Sequence, residues 1–98
     1  MFGFFKVNED LFFEELLKDD MDIDKIGKYI NKGVNINKKD EKGQTILFSL
    51  AAKRKLEALK ILIKNGANLT LEDLHRKTIL DEAVDRNDGI MIRFLLDN

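Results

Sequence analysis

The residues that could carry out catalysis gather around one histidine. His75 is the only histidine of the chain, and Glu72 and Asp73 stand just before it in the segment EDLHRK. A histidine beside carboxylates suits general acid–base chemistry, and both side-chain types also bind metal ions. Because there is no second histidine, either role would rest on carboxylates alone. We therefore expect His75 to face solvent on a polar turn, with a contact residue at a binding surface as the alternative.

Alternating aspartates in the segment DDMDIDK, residues 19–25, are similar to a calcium-binding loop. An EF-hand loop that began at Asp20 would need glycine at its sixth position and glutamate at its twelfth. Those positions hold Lys25 and Asn31. We predict a connection between two helices instead, with Asp22 as the N-cap of the second, and no bound metal.

The composition limits the classes of protein to consider. The chain has 98 residues, of which 44% are hydrophobic and 36% charged, and its net charge is −1. This size and composition predict one globular domain, residues 1–98. The balanced charge argues against a nucleic-acid partner. The absence of cysteine fits a reducing, cytoplasmic setting without thiolate chemistry. No apolar run is long enough to span a membrane, so we expect no membrane partner. We also expect no cofactor.

The elements that would position any site are copies of one unit. Thr45–Leu47 recurs 33 positions later as Thr78–Leu80. A degenerate copy with the same apolar spacing precedes both. A fixed period of this length is typical of stacked repeats. We predict an N-terminal capping repeat at 1–33, a second repeat at 34–66 and a third, incomplete at its C-terminus, at 67–98. Further identical pairs are Gly33 and Gly66, Asn35 and Asn68, Asp40 and Asp73, Leu62 and Leu95, and Asn65 and Asn98.

Each unit reads as two short helices. In the second unit we expect the hydroxyl of Thr45 to cap a helix that ends near Lys53. A second helix is predicted from about Lys55 to Lys64, and Gly66 stops it. The apolar stripe of the first helix is Ile46, Leu47, Leu50 and Ala51, and that of the second is Leu56, Leu59, Ile61, Leu62 and Ile63.

The segment DEKGQTILFSLAAKRKLEALKILIKNGANL resembles the ankyrin repeat, with its T-P-L-H box, leucine-rich second helix and closing glycine. The resemblance implies an all-α, ankyrin-type α-solenoid of helix-turn-helix repeats with projecting β-turn or hairpin loops. It implies a non-catalytic module that binds a protein partner. The sequence departs from the family pattern where Ile46 and Ile79 replace proline, Phe48 and Asp81 replace histidine, and Arg76 replaces a turn glycine.

The resemblance also implies a contact surface, the concave face formed by turn tips and inner helices. We expect Leu74 to be its strongest contact, because a leucine on a polar turn buries nothing locally. Phe48 is the second candidate, with packing between repeats as the equal alternative. The full predicted set is Glu41, Lys42, Gln44, Phe48, Ala52, Lys53, Leu74, His75, Lys77, Asp85 and Arg86.

The loops within the units alternate in charge. The equivalent loop positions hold Asp19, Asp20 and Asp22 in the first unit, Lys53, Arg54 and Lys55 in the second, and Asp85, Arg86 and Asp88 in the third. This alternation predicts a ladder of ion pairs that fixes the register of the stack, rather than a recognition patch.

The ends of a stack raise a separate question. Phe2, Phe4 and Phe5 are expected to fold back as a cap, with an exposed anchor as the alternative. A chain cut from a longer structural or regulatory protein would expose its last helix pair and self-associate. A chain with a natural end would be a monomer. The sequence does not decide between a monomer and a weak dimer formed through the repeat ends.

Overall fold

The computed structural model describes residues 8–98, which form six α-helices and no strand. The helices are α1 (Glu9–Leu17), α2 (Ile23–Asn31), α3 (Ile46–Ala52), α4 (Leu56–Lys64), α5 (Ile79–Asp85) and α6 (Gly89–Leu96). The predicted all-α class is confirmed. The predicted cap or anchor formed by Phe2, Phe4 and Phe5 lies outside the described residues.

The first compact unit, Met1–Asn35, contains α1 and α2 packed against each other. Phe12 is fully buried, and its ring centroid lies 5.5 Å from that of Tyr29. Asp22 is the N-cap of α2 as predicted, because its carboxylate accepts a hydrogen bond of 3.2 Å from the Lys25 backbone N–H. This capping role explains the aspartate at the centre of the calcium-like segment.

A buried carboxylate ties α1 to the connection that follows it. Glu15 accepts a hydrogen bond of 2.9 Å from the Asp22 backbone N–H and one of 3.1 Å from Lys18 Nζ. These bonds lower the pKa of Glu15 in spite of its burial. A buried acceptor with such partners is satisfied, so Glu15 acts as a structural residue of this unit.

The second compact unit, Ile36–Asn98, contains two helix pairs, and α3 of the first pair packs against α5 of the second. Leu47, Leu50, Leu59 and Leu62 are at most 1% exposed and form its centre. The predicted bounds of α3 and α4 agree with the structure to within one residue. Gly66 has a φ of 97°, the left-handed conformation expected of a residue that ends a helix.

Two details of the predicted second repeat are wrong. Thr45 is the N-cap of α3, but its hydroxyl accepts no hydrogen bond; it is buried without a partner. The Phe48 N–H bonds to the Thr45 carbonyl at 3.1 Å and so does not need the hydroxyl. On α4, Ile61 and Ile63 are only partly buried, while Ala58, which the prediction omitted, is 1% exposed. The buried face is therefore narrower than the apolar residues of α4 suggested.

Candidate interaction surface

The first turn of the second unit is built around Asp40. Its carboxylate accepts hydrogen bonds from the backbone N–H groups of Lys42 at 2.8 Å and Gln44 at 3.0 Å. The Asp40 N–H donates to the Gln44 carbonyl at 2.8 Å, which closes the turn. Because the backbone is held from inside, the side chains of Glu41 and Lys42 project into solvent.

The second turn repeats this arrangement around Asp73. Its carboxylate accepts from the His75 N–H at 2.8 Å and the Lys77 N–H at 3.0 Å. Asp73 is only 7% exposed. The bonds from the Lys77 and His75 backbone lower its pKa despite burial, and a contact from Gln44 Nε2 adds to the shift. The carboxylate is thus committed to the turn and is not available as a base for His75.

The two turns are bonded to each other. The Leu74 N–H donates to the Lys42 carbonyl at 3.1 Å, and Lys39 Nζ donates to the Glu72 carbonyl at 2.9 Å. Gln44 Nε2 reaches Asp73 Oδ2 at 3.4 Å. These three contacts hold the two turns, residues 40–44 and 73–77, against each other, and we call their exposed tips the turn edge. Because the turn edge is preorganised, the conformational cost of binding is lower.

Leu74 is the large apolar side chain exposed on these turns. Its side chain is 72% exposed although its backbone N–H is bonded to the preceding turn. His75 beside it is also exposed. The predicted exposure of both residues is confirmed.

The inner helices α3 and α5 enclose a shallow depression of about 150 Å³. Phe48 is only 6% exposed, so packing accounts for most of its ring and only a small area is left for a partner. Ser49 and Glu82 were missed by the sequence analysis, although their spacing from Ala52 and Arg86 along one helical face could have indicated them. The lining residues are Gln44, Phe48, Ser49, Ala52, Glu82 and Arg86.

The structure thus brings Gln44, Phe48, Ala52 and Arg86 of the predicted set together. Lys53 is the exposed C-cap of α3 and is outside the depression. The other predicted residues lie outside it as well, on the turns or at the end of α5: Glu41, Lys42, Leu74, His75, Lys77 and Asp85.

Charges on the surface of α5 are paired locally. Lys77 forms an ion pair with Asp85, and this hydrogen bond raises the pKa of the Lys77 ammonium. Arg86 Nη1 lies 4.0 Å from Glu82 Oε2, one helical turn away. Such exposed pairs contribute little to stability, so a partner can replace them at little cost.

The loop charges form one contact of the predicted ladder within the second unit. Arg54 Nε donates to Asp88 Oδ2 at 3.0 Å, and the Met91 N–H donates to Asp88 Oδ1 at 3.2 Å. The bond from Arg54 lowers the pKa of Asp88. Asp85, which the ladder placed opposite the basic loop, pairs with Lys77 instead. The buried Asp88 thus links the loop of the second repeat to that of the third.

Within residues 8–98, no three histidine or acidic side chains are grouped so that they could hold a metal ion. None of the helices in this part of the chain is long and apolar enough to cross a membrane. What the arrangement offers is a rigid turn edge and an adjoining helical face.

Comparison with known proteins matches the fold to a family. The family model for ankyrin repeats in three copies matches residues 16–98. The chain is 30% identical over 69 residues to alpha-latroinsectotoxin-Lt1a of Latrodectus tredecimguttatus, covering 70% of this chain and 5% of that protein. It is 29% identical over 65 residues to alpha-latrotoxin-Lhe1a of Latrodectus hesperus, covering 66% and 5%.

A third relative has a different name and source. The apicidin F cluster transcription factor apf2 of Gibberella fujikuroi is 33% identical over 59 residues, covering 60% of this chain and 15% of that protein. The chain thus spans a small fraction of each relative. Three copies matched over most of the length, together with the paired helices and bonded turns, show that the chain belongs to the ankyrin repeat family, which generally mediates protein–protein interactions and is generally non-catalytic.

Proposed function

We propose that this chain is a non-catalytic interaction module that binds a protein partner through its turn edge and the exposed face of its inner helices. The observation that carries the proposal is Leu74, 72% exposed on a turn whose backbone is bonded in place. Because the backbone that carries Leu74 is already held in place, less conformational freedom is lost when a partner covers the side chain. Full burial of a leucine contributes about 1.5 to 3 kcal/mol.

The chemistry of the surface indicates the kind of contact. Leu74 supplies an apolar centre, and the depression between α3 and α5 adds a small site lined by polar and charged side chains around Phe48. The neighbouring ion pairs, Lys77 with Asp85 and Arg86 with Glu82, provide a charged rim of both signs. An apolar centre with a polar rim is the usual anatomy of a protein interface. The composition and the absence of cysteine support a cytoplasmic module without a cofactor, nucleic acid or membrane partner.

The second candidate function is a structural or regulatory segment of a longer ankyrin protein, or a self-associating fragment. It is favoured by the small share of each relative that the chain spans, 5% and 15%. Exposed apolar side chains on the last helix pair also favour it: Val84 is 56%, Ile90 58% and Leu96 68% exposed. In that case binding would depend on the last helix pair and not on the turn edge.

The two candidates are separated by matched substitutions. Partners would be captured from the source organism with the wild-type chain, and each affinity would then be measured with purified proteins. For the turn-edge module we expect Leu74→Glu to weaken binding at least tenfold, because an apolar contact is lost and a charge is buried.

Ile90→Glu is the control, since Ile90 is exposed to a similar extent but lies on α6. We expect it to leave the affinity unchanged. A wild-type affinity for Leu74→Glu would refute the turn-edge site. If Ile90→Glu alone weakened binding or abolished self-association in sedimentation velocity, the second candidate would replace the first.

A further inference from the structure

Gly43 allows the second turn to lie directly against the first. Its φ is 75°, and a Cβ placed on it would lie 2.9 Å from the Leu74 backbone nitrogen and 3.2 Å from the Asp73 carbonyl carbon. Contacts below 3.0 Å to backbone atoms cannot be relieved by moving a side chain. The bond from the Leu74 N–H to the Lys42 carbonyl therefore depends on the missing Cβ at Gly43.

The third repeat has the same backbone at this position but a different residue. Arg76, 33 positions after Gly43, has a φ of 60°. Its N–H donates to the Asp73 carbonyl at 3.0 Å, as the Gly43 N–H donates to the Asp40 carbonyl at 3.0 Å. Because the turns are equivalent, the Cβ of Arg76 stands where a following turn would place its backbone. A φ in this range is strained for any residue with a Cβ.

The helices of the third repeat, unlike its turn, keep the apolar residue type found at the equivalent positions of the second repeat. Ala51 is 1% exposed, whereas its equivalent in the third repeat, Val84, is 56% exposed and apolar. Leu59 is fully buried, and its equivalent, Ile92, is partly exposed. The helices of the third repeat therefore expose apolar residues at positions that are buried in the second repeat. The turn of the third repeat differs, because arginine stands there in place of glycine.

We propose that Arg76 closes the turn edge of the third repeat to any further repeat stacked in the register by which the third repeat stacks on the second. Arg76 is a selectivity residue: it excludes a neighbour with a projecting turn in that register, whether it comes from the same chain or from another. The tip that carries Leu74 and His75 consequently stays uncovered on that side. This inference concerns stacking and does not depend on the proposed partner-binding function.

The direct test moves the arginine to the stacked turn. In Gly43→Arg the same side chain is placed under the Leu74 backbone, and hydrogen exchange of the Leu74 amide reports whether the two turns stay bonded. The matched control is Gly66→Arg, because Gly66 has a φ of 97° and a Cβ there would meet no atom within 4 Å. Both variants carry the cost of a left-handed arginine, but only the first creates the clash.

We expect Gly43→Arg to speed exchange of the Leu74 amide at least tenfold relative to Gly66→Arg. Equal Leu74 exchange in the two variants would overturn the proposal, because arginine would then be compatible with a stacked turn. If Gly43→Arg does not fold while Gly66→Arg does, Gly43→Ala supplies the same comparison against Gly66→Ala with a single added carbon.

A second test adds a repeat to the full chain. A copy of residues 66–98 is fused after Asn98, which continues the period, and exchange is followed at the added leucine equivalent to Leu74. We expect this amide to exchange at the rate of an unprotected amide with Arg76 present and at least tenfold more slowly in Arg76→Gly. Slow exchange with Arg76 present would overturn the proposal. If the added amide is unprotected in both fusions, the comparison of Gly43→Arg with Gly66→Arg decides.

Discussion

Two threonines at equivalent positions should respond in opposite directions to the same substitution. Thr78 caps α5 through a capping box: its hydroxyl accepts from the Asp81 N–H at 3.2 Å, and its own N–H donates to the Asp81 carboxylate at 2.9 Å. At the N-terminus of α3, phenylalanine stands in the place of that aspartate and cannot return the bond. The Thr45 hydroxyl is left buried and unpartnered, with the residue 4% exposed.

The size of each effect follows from these partners. Burying a hydroxyl without a hydrogen bond costs about 1 to 3 kcal/mol in proteins. Valine keeps the shape of threonine, so we expect Thr45→Val to raise the free energy of unfolding by about 1 kcal/mol. Loss of an N-cap costs about 0.5 to 2 kcal/mol, so Thr78→Val should lower it by about 1 kcal/mol.

Urea unfolding followed by circular dichroism at 222 nm would measure both changes, provided that the slopes of the transitions stay equal. Thermal midpoints should move in opposite directions, by about 4 to 8 °C for each kcal/mol in a domain of this size. Thr45→Ser is a useful control, since it keeps the hydroxyl and removes the methyl group. If Thr45→Val were as destabilising as Thr78→Val, the hydroxyl would have a partner and the reasoning would be wrong.

Three further predictions follow from burial and charge. Leu59→Ala should lower the free energy of unfolding in urea by about 2 to 5 kcal/mol. Ile92→Ala, at the equivalent but partly exposed position, should lower it clearly less. Equal losses would contradict the difference in burial between the two positions. Val84→Gln should change stability by no more than about 0.5 kcal/mol because the side chain is exposed, and a larger loss would show that it is covered. The lowered pKa values of Asp73 and Asp88 stabilise the fold above their unfolded pKa of about 4, and this contribution is lost as the pH falls through their folded values. Unfolding at pH 2 to 6 should show this loss, with a shallower dependence in Asp88→Asn; an unchanged pH dependence would refute the assignment.

The fold was largely predictable because its signals are local. Helix boundaries depend on short-range features, such as Asp22 at the start of α2 and Gly66 after the end of α4. The 33-residue spacing carries these features from one repeat to the next, so the repeated architecture could be predicted before any contact was known. The exposure of Leu74 was predictable for the same reason, because nothing within a polar turn can bury a leucine.

The site was only partly predictable because burial depends on what lies against each residue. Phe48 is buried, although the sequence favoured neither packing between repeats nor contact with a partner. Ser49 lines the depression only because α5 packs beside α3.

What the sequence by itself determined is the repeating unit, since helix starts, helix ends and turns are set by neighbouring residues. What only the tertiary structure decided is which equivalent residues differ in environment. Thr45 and Thr78 are the same residue in the same register, but Thr45 is 4% exposed and Thr78 is only partly buried. Gly43 and Arg76 share one backbone conformation, yet only Gly43 has a turn packed on it. In a stack, the environment of a side chain depends on the next repeat, and no local pattern within a repeat contains that information.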